Sequence, residues 1–256
     1  MGAAPEHGQR DEHLEIEVKL HVPIHAFDAV EAALRDGASV AEIRLRAEYF
    51  DTDDWVLAAR GLTWRMRREG DRWVQTLKGR ASADGAGDDM ARVEHDVDVT
   101  DRADGESAPP LDAALHDGHL GTRLRTVLDE QRGSGSSSGI AVAAQFATDV
   151  LRTERRSASD LGTVILALDR GVITAGGMSQ PVSELEIELV DGSPDAVIAE
   201  AERWADRFGL ERDPVNKARR GRVLADEWRA HRAAATNDDI GDRDDVGDVG
   251  TPDTRR

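Results

Sequence analysis

The chain has 256 residues, 39% of them hydrophobic, with 51 acidic against 33 basic side chains, a formal net charge of −18 and no cysteine. That length fits one large domain or two small ones, and the lack of cysteine excludes disulfides, a thiolate nucleophile and Cys-ligated zinc or iron–sulfur sites. So acidic a surface repels nucleic acid and anionic membranes, so neither is expected as a partner; with no apolar run of bilayer length and no secretory signal, the expected location is cytoplasmic.

Residues 1 to 12 are polar and expected to be disordered. Leu14 to Leu20 alternates strictly, with Glu15, Glu17 and Lys19 on one side and Leu14, Ile16, Val18 and Leu20 on the other, as in a strand. Val22-Pro23 ends it, and Phe27, Val30, Ala33 and Leu34 recur at helical spacing. Glu48 to Asp54 reads as an aromatic strand entering an acidic turn, and Leu57 to Gly61 reverses the chain. Two strands, 62–68 and 72–78, read as a hairpin about Glu69-Gly70-Asp71. Arg65 and Arg67 share a face there, as do Thr76 and Lys78, while Trp64, Met66, Val74 and Leu77 are assigned to the opposite faces. After a Gly- and Asp-rich loop, Arg92 to Val99 alternates again. Leu120, Leu124, Val127 and Leu128 mark a helix, and residues 131–139 read as a flexible linker.

The second half repeats the strand theme with Val142 to Thr153, Thr163 to Asp169, a turn at Arg170-Gly171, and Val182 to Leu189 after the loop Ala175-Gly176-Gly177. That last strand carries Glu184, Glu186 and Glu188 at every second position. From Pro194 the period becomes helical, with Val197, Ile198, Ala201, Trp204, Ala205 and Phe208 on one face. A second helix is expected over 217–230, with Val223, Leu224 and Trp228 apolar, followed by an acidic disordered tail over 231–256.

About eight strands with periodic turns fit an α+β fold, an eight-stranded antiparallel barrel with flanking helices, in a single domain over 13–230. The strands present ordered charged faces, where scattered surface charges would need no such order and a solvated face would be expected to carry Thr, Ser, Gln and Asn too. Three helical regions can cover the apolar faces instead, which turns the charges into a polar lumen. Arg60, Arg65, Arg67, Arg68, Arg72, Lys78 and Arg80 cluster within this acidic chain and suggest a specific anionic ligand. Guanidinium and ammonium groups suit phosphate oxygens, whereas alternating carboxylates suit Mg²⁺ or Mn²⁺, which bind through carboxylates plus substrate phosphates. Together they describe metal-assisted phosphoryl transfer. Trp64, Trp73, Trp204 and Trp228 read as packing residues, and His95 and His119 as having no special role.

Glu15-Ile16-Glu17-Val18-Lys19 is an ExExK motif, and the chain resembles the CYTH domains, the triphosphate tunnel metalloenzymes, from residue 13 to about 225. The resemblance continues in order through Tyr49 to Thr52, Gly61 to Arg67, Trp73 to Gly79, Arg92 to Glu94, Thr148-Asp149 with Arg152, Leu168-Asp169, Glu184 to Glu188 and Asn216 to Gly221. It implies a tunnel that binds a triphosphate with a divalent metal. Lys19, Arg65, Arg67, Lys78, Arg92, Arg152 and Lys217 then stand for the substrate contacts, with Lys19, Glu17 and Arg152 as the catalytic set. Glu15, Glu17, Glu94, Asp169, Glu184, Glu186 and Glu188 stand for the metal and water-positioning acids, and either Glu184 with Glu186 or Glu186 with Glu188 can be the ligating pair. The chain is most similar to the bacterial inorganic triphosphatase type, although the segment C-terminal to its CYTH motifs is too short and acidic for the CHAD domain often fused there. It departs at Arg155, where an aromatic is usual, and at Trp64, where an aliphatic is usual. The implied reaction is hydrolysis of inorganic triphosphate. Formation of cyclic AMP from ATP, hydrolysis of thiamine triphosphate and non-catalytic polyphosphate binding are the alternatives. The partner is a small polyanion, and both monomer and homodimer remain open.

Overall fold

Eight antiparallel strands close on themselves in the computed structural model, which describes residues 12–80, 90–133 and 142–241. They are β1 His13–His21, β2 Ala41–Asp51, β3 Leu62–Glu69, β4 Arg72–Arg80, β5 Ala91–Asp98, β6 Ala143–Ser159, β7 Gly162–Ala175 and β8 Met178–Gly192. The order is β5-β4-β3-β2-β6-β7-β8-β1, β1 pairs again with β5, and a two-residue β9, Glu211–Arg212, adds to β1. Closure removes the free sheet edges that would otherwise seek partners. The register carries the charge pattern across the barrel: Glu17 lies opposite Glu188, Lys19 opposite Glu186, Lys78 opposite Glu94 and Arg152 opposite Asp169. Directly opposed residues share a face, so these side chains look the same way, inward.

The outer faces are apolar and are clad by helices. Helix α1, Phe27–Arg35, and helix α4, Pro194–Phe208, cover β1, β7 and β8 through Leu20, Val30, Leu34, Leu166, Leu185, Ile187 and Trp204. The boundaries of α4 follow from local chemistry. Ser193 accepts from the Asp195 N–H at 3.2 Å, Pro194 occupies the first turn, and Gly209 ends the helix at φ 65°. A short α2, Val56–Ala59, and α3, Gly118–Gly133, cover β3 and β4 through Leu57, Leu62, Trp64, Leu77, Leu120 and Leu124. Helix α5, Lys217–Gly241, differs: it packs Leu224 and Ala225 against Phe146, Ile173, Ala175 and Val182, which share strand parity with the lumen residues Arg152, Asp169 and Glu186, so it covers part of the inner face rather than the outer one. Among the described residues no helix is long and apolar enough to cross a membrane.

Several expectations need correction. Arg170 and Gly171 are not a turn: β7 continues through them, pairing with Leu151 and Val150. A Cβ on Gly171 would overlap the Asp149 carbonyl oxygen, so this glycine marks a close strand approach. Val74 faces the lumen, because it has the same parity as Thr76 and Lys78. Val223 is 49% exposed and lies off the buried stripe of α5, which passes through Gly221, Leu224 and Ala225. Among the described residues five α-helices rather than three flank the barrel, the fifth on its inner face, and the lumen has an apolar wall of Leu45, Ala47 and Val150.

The element boundaries also move. α3 runs to Gly133 and takes up the start of the expected linker, whose residues 134–139 lie outside the described residues. α5 continues past Ala230 to Gly241, so the expected tail begins as helix, and 242–256 lie outside the described residues. Residues 1–11 do so as well, but Glu12 is placed, its carboxylate accepting from the Leu120 N–H in the first turn of α3.

Candidate active site

The inward strand faces enclose a cavity of about 480 Å³. Lys19 from β1, Arg65 and Arg67 from β3, Lys78 from β4, Arg92 from β5, Arg152 from β6 and Lys217 from the first turn of α5 all line it. Glu15, Glu17, Glu94, Asp169, Glu186 and Glu188 line it too. Glu184 is the exception among the expected residues. It is 2% exposed and held beneath α5 by Lys217 and, at 3.2 Å, by Arg220. Strand parity aims Glu184 inward, and the start of α5 then covers it.

Sequence reasoning missed part of the wall. Asp96 and Asp98 line the cavity by continuing the alternation of Arg92 and Glu94, a signal present in the sequence. Tyr49 had no such signal, because the alternating charges of β2, Glu42, Arg44, Arg46 and Glu48, fall on its exposed face. It lies opposite Arg65, stacked on Phe146 with ring centroids 4.5 Å apart. Burial opposes ionisation of the Tyr49 phenol, yet the positive charges of Arg65, Lys217 and Arg67 draw its pKa below the ordinary tyrosine value.

The lumen charges form two groups. In the first, Arg152 forks onto Asp169 at 2.7 and 2.8 Å and also donates to Glu186. Lys217 lies 2.6 Å from Asp169 and 3.0 Å from Glu186. Carboxylate oxygens of Asp169, Glu184 and Glu186 fall within 4.8 Å of one another. Burial alone would raise the pKa of Glu186, but Lys217, Arg152 and Lys19 hold it well below the usual carboxylate range. In the second group, Lys78 bridges Glu15 at 2.7 Å and Glu94 at 2.9 Å, and Arg65 reaches Glu94 at 3.3 Å. Burial disfavours the charge of Lys78, yet Glu94 and Glu15 raise its pKa above the ordinary lysine value. Lys19 joins the groups, pairing with Glu17 and standing 3.8 Å from Glu186.

Glu188 makes no ion pair or side-chain hydrogen bond among the described residues. Burial, with Glu15 and Glu94 beside it, pushes its pKa up to about 7. The first group of acids is therefore matched by cations, while the second retains an unmatched carboxyl. The lining as a whole carries ten carboxylates against eight lysines and arginines. A bare polyanion meets net repulsion there unless it arrives with cations. All-oxygen donors at alternating strand positions suit a hard divalent ion, so this donor set fits Mg²⁺ or Mn²⁺.

A model of the CYTH domain matches residues 13–221. The chain belongs to the CYTH family. Members of that family in general bind triphosphate-type substrates and depend on a metal. Among solved CYTH-like structures, a Bacillus halodurans protein provisionally described as an adenylate cyclase superposes with a TM-score of 0.54 at 20% identity, over 82% of this chain and 98% of its own. A protein from Hippeastrum, named as a candidate adenylyl cyclase and described as having a dominant triphosphatase activity, gives 0.54 at 18% identity, over 83% and 95%. At such identities the likeness speaks for the fold, and the chemistry of this CYTH chain has to be argued from its own lumen.

Proposed function

We propose that this protein hydrolyses inorganic triphosphate to phosphate and pyrophosphate in its barrel, with Mg²⁺ or Mn²⁺ as the required metal. The observation that carries this reading is the single cavity in which seven lysines and arginines, one cluster on β3 and β4 and another on β6 and α5, face six of the acids read from the sequence. Cations fixed on separate elements around one lumen can grip both ends of a short phosphate chain. Lys19, Arg65, Arg67, Lys78, Arg152 and Lys217 supply that grip, and Arg92 extends it toward one mouth.

Glu186 and Glu188 line the cavity and Glu184 does not, which leaves these two as the candidate ligands from β8. Glu186 already orients Arg152, Lys217 and Lys19, whereas Glu188 lies unmatched opposite Glu17. Glu15, Glu17 and Glu188 would therefore hold the metal. When bound, it supplies neutralisation of the phosphate oxygens and lowers the pKa of water. In the reaction, water oxygen bonds to a terminal phosphorus as the bridging P–O bond breaks. The electron pair leaves with pyrophosphate, whose charge Arg152 and Lys217 receive, and the water proton passes to a lumen carboxylate.

The test is product analysis with triphosphate, ATP, thiamine triphosphate and polyphosphate, each with Mg²⁺ or Mn²⁺. Phosphate and pyrophosphate from triphosphate support the proposal. Cyclic AMP from ATP would move the protein to the cyclases, turnover confined to thiamine triphosphate would change the substrate, and tight binding without turnover would make it a binding module.

A further inference from the structure

A second cleft, of about 390 Å³, opens beside the tunnel between the α2–β3 corner and the first turns of α5. It shares Tyr49, Thr63, Arg92, Asn216 and Ala218 with the tunnel lining, so the two spaces lie side by side. Four arginines line it: Arg80 from β4, Arg92 from β5, and Arg219 and Arg222 from α5. None of the four guanidinium groups has an ion-pair or hydrogen-bond partner among the described residues, in contrast to Arg152 within the tunnel. The one carboxylate in the lining, Asp51, is already engaged by the backbone N–H groups of Thr52, Leu57 and Ala58 at 2.8 to 2.9 Å.

The cleft also has aromatic residues, but they are engaged with one another or with neighbouring side chains. Tyr49 and Phe146 stack together. The Trp55 indole N–H donates to Asp226 at 2.6 Å, and its ring carries the Arg229 guanidinium at 4.8 Å from the centroid. Trp64 is 4% exposed, edge-on to His116. What remains to meet a ligand is a set of forked cation donors with little face for stacking a base.

We propose that this arginine-lined mouth is an extension subsite for the further phosphates of a linear polyphosphate whose terminal three occupy the tunnel. The substrate class is then inorganic polyphosphate longer than triphosphate, fed end-first. This rests on the phosphate-gripping reading of the tunnel and adds a preference for chain length. Arg219 and Arg222, one turn apart on α5, hold the flank beyond the tunnel, and Arg80 and Arg92, paired across β4 and β5, hold the other.

The experiment is calorimetric binding of triphosphate, a medium-chain linear polyphosphate and ATP in EDTA, so that no result depends on turnover. Without metal every one of these ligands binds more weakly, and the comparison is among them. It covers wild type, Arg219→Ala/Arg222→Ala and a charge-matched control, Arg203→Ala/Arg207→Ala, on the exposed face of α4. The medium chain is expected to bind wild type about tenfold more tightly than triphosphate, as one or two charge-assisted contacts would give, and the α5 pair should erase most of that advantage. Equal affinity for the two chains, or the same loss in the α4 control, would overturn the subsite. So would an advantage carried by ATP, which would assign the cleft to a nucleoside. A failure of hydrolysis alone, with the chain-length preference intact, would count against the proposed reaction and leave the subsite standing.

Discussion

Lys19 stands where the two charge groups of the lumen meet, touching Glu17 and facing Glu186. Lys19→Ala should abolish phosphate release while the melting temperature stays within a few degrees, since its removal leaves the apolar cladding of β1 intact; unchanged turnover would take β1 out of the reaction. A second residue-scale prediction concerns His116, which sequence reading passed over. It is fully buried, with Gln75 at 3.0 Å from one ring nitrogen and His95 at 3.2 Å from the other. Burial, then His95 and Arg125, push its pKa down to about 3. The unfolded chain binds a proton near pH 6.5 that the folded chain refuses, so stability is lost as pH falls below that value, by up to about 1.4 kcal/mol per pH unit. Denaturant titrations at pH 7 and pH 5 should show a shallower loss in His116→Gln, and an unchanged slope would contradict the assignment. The lumen residues were legible because alternation tells which side chains share a face. Alternation does not tell which of them another element will cover, and so Glu184, which α5 seals off, could not be told from Glu186 and Glu188.

At the scale of elements, the position of α5 decides whether Lys217 reaches Asp169. A Cβ on Gly221 would overlap the Phe146 ring, so the helix sits against β6 only because this position has none. Gly221→Ala should destabilise the fold by about 1–3 kcal/mol through overpacking and lower turnover as Lys217 withdraws. Helix propensity alone predicts the opposite, a gain of up to about 1 kcal/mol, and that result in a denaturant melt would refute the packing account. Arg155, the unusual residue after the tunnel arginine, points outward and donates to the Ala33 and Leu34 carbonyls at the end of α1, each at 3.3 Å. Arg155→Ala should cost about 1–2 kcal/mol of stability and leave KM for triphosphate unchanged. A raised KM would place it in the site after all. The strands and main helices were readable from period and caps. The lengths of β6, β7 and β8 were not, because Arg170-Gly171 imitates a turn where the backbone merely packs closely.

For the whole molecule, the barrel was legible from the number of alternating segments and from charged faces too uniform in type to be solvated. Its apolar wall was not, since on β2 the charges face outward and Leu45, Ala47 and Tyr49 face in. The resulting lumen is a charged trough against one apolar side, with carboxylates in excess over lysines and arginines. That excess weakens the hold on a bare polyanion, so in the proposed reaction a metal would strengthen binding as well as serve as a reagent. The most direct measurement is the phosphate and pyrophosphate released from inorganic triphosphate with Mg²⁺ or Mn²⁺, and again after EDTA. Equal amounts of the two products are expected with metal and none with EDTA; undiminished release in EDTA, or none with either metal, would overturn the proposed hydrolysis.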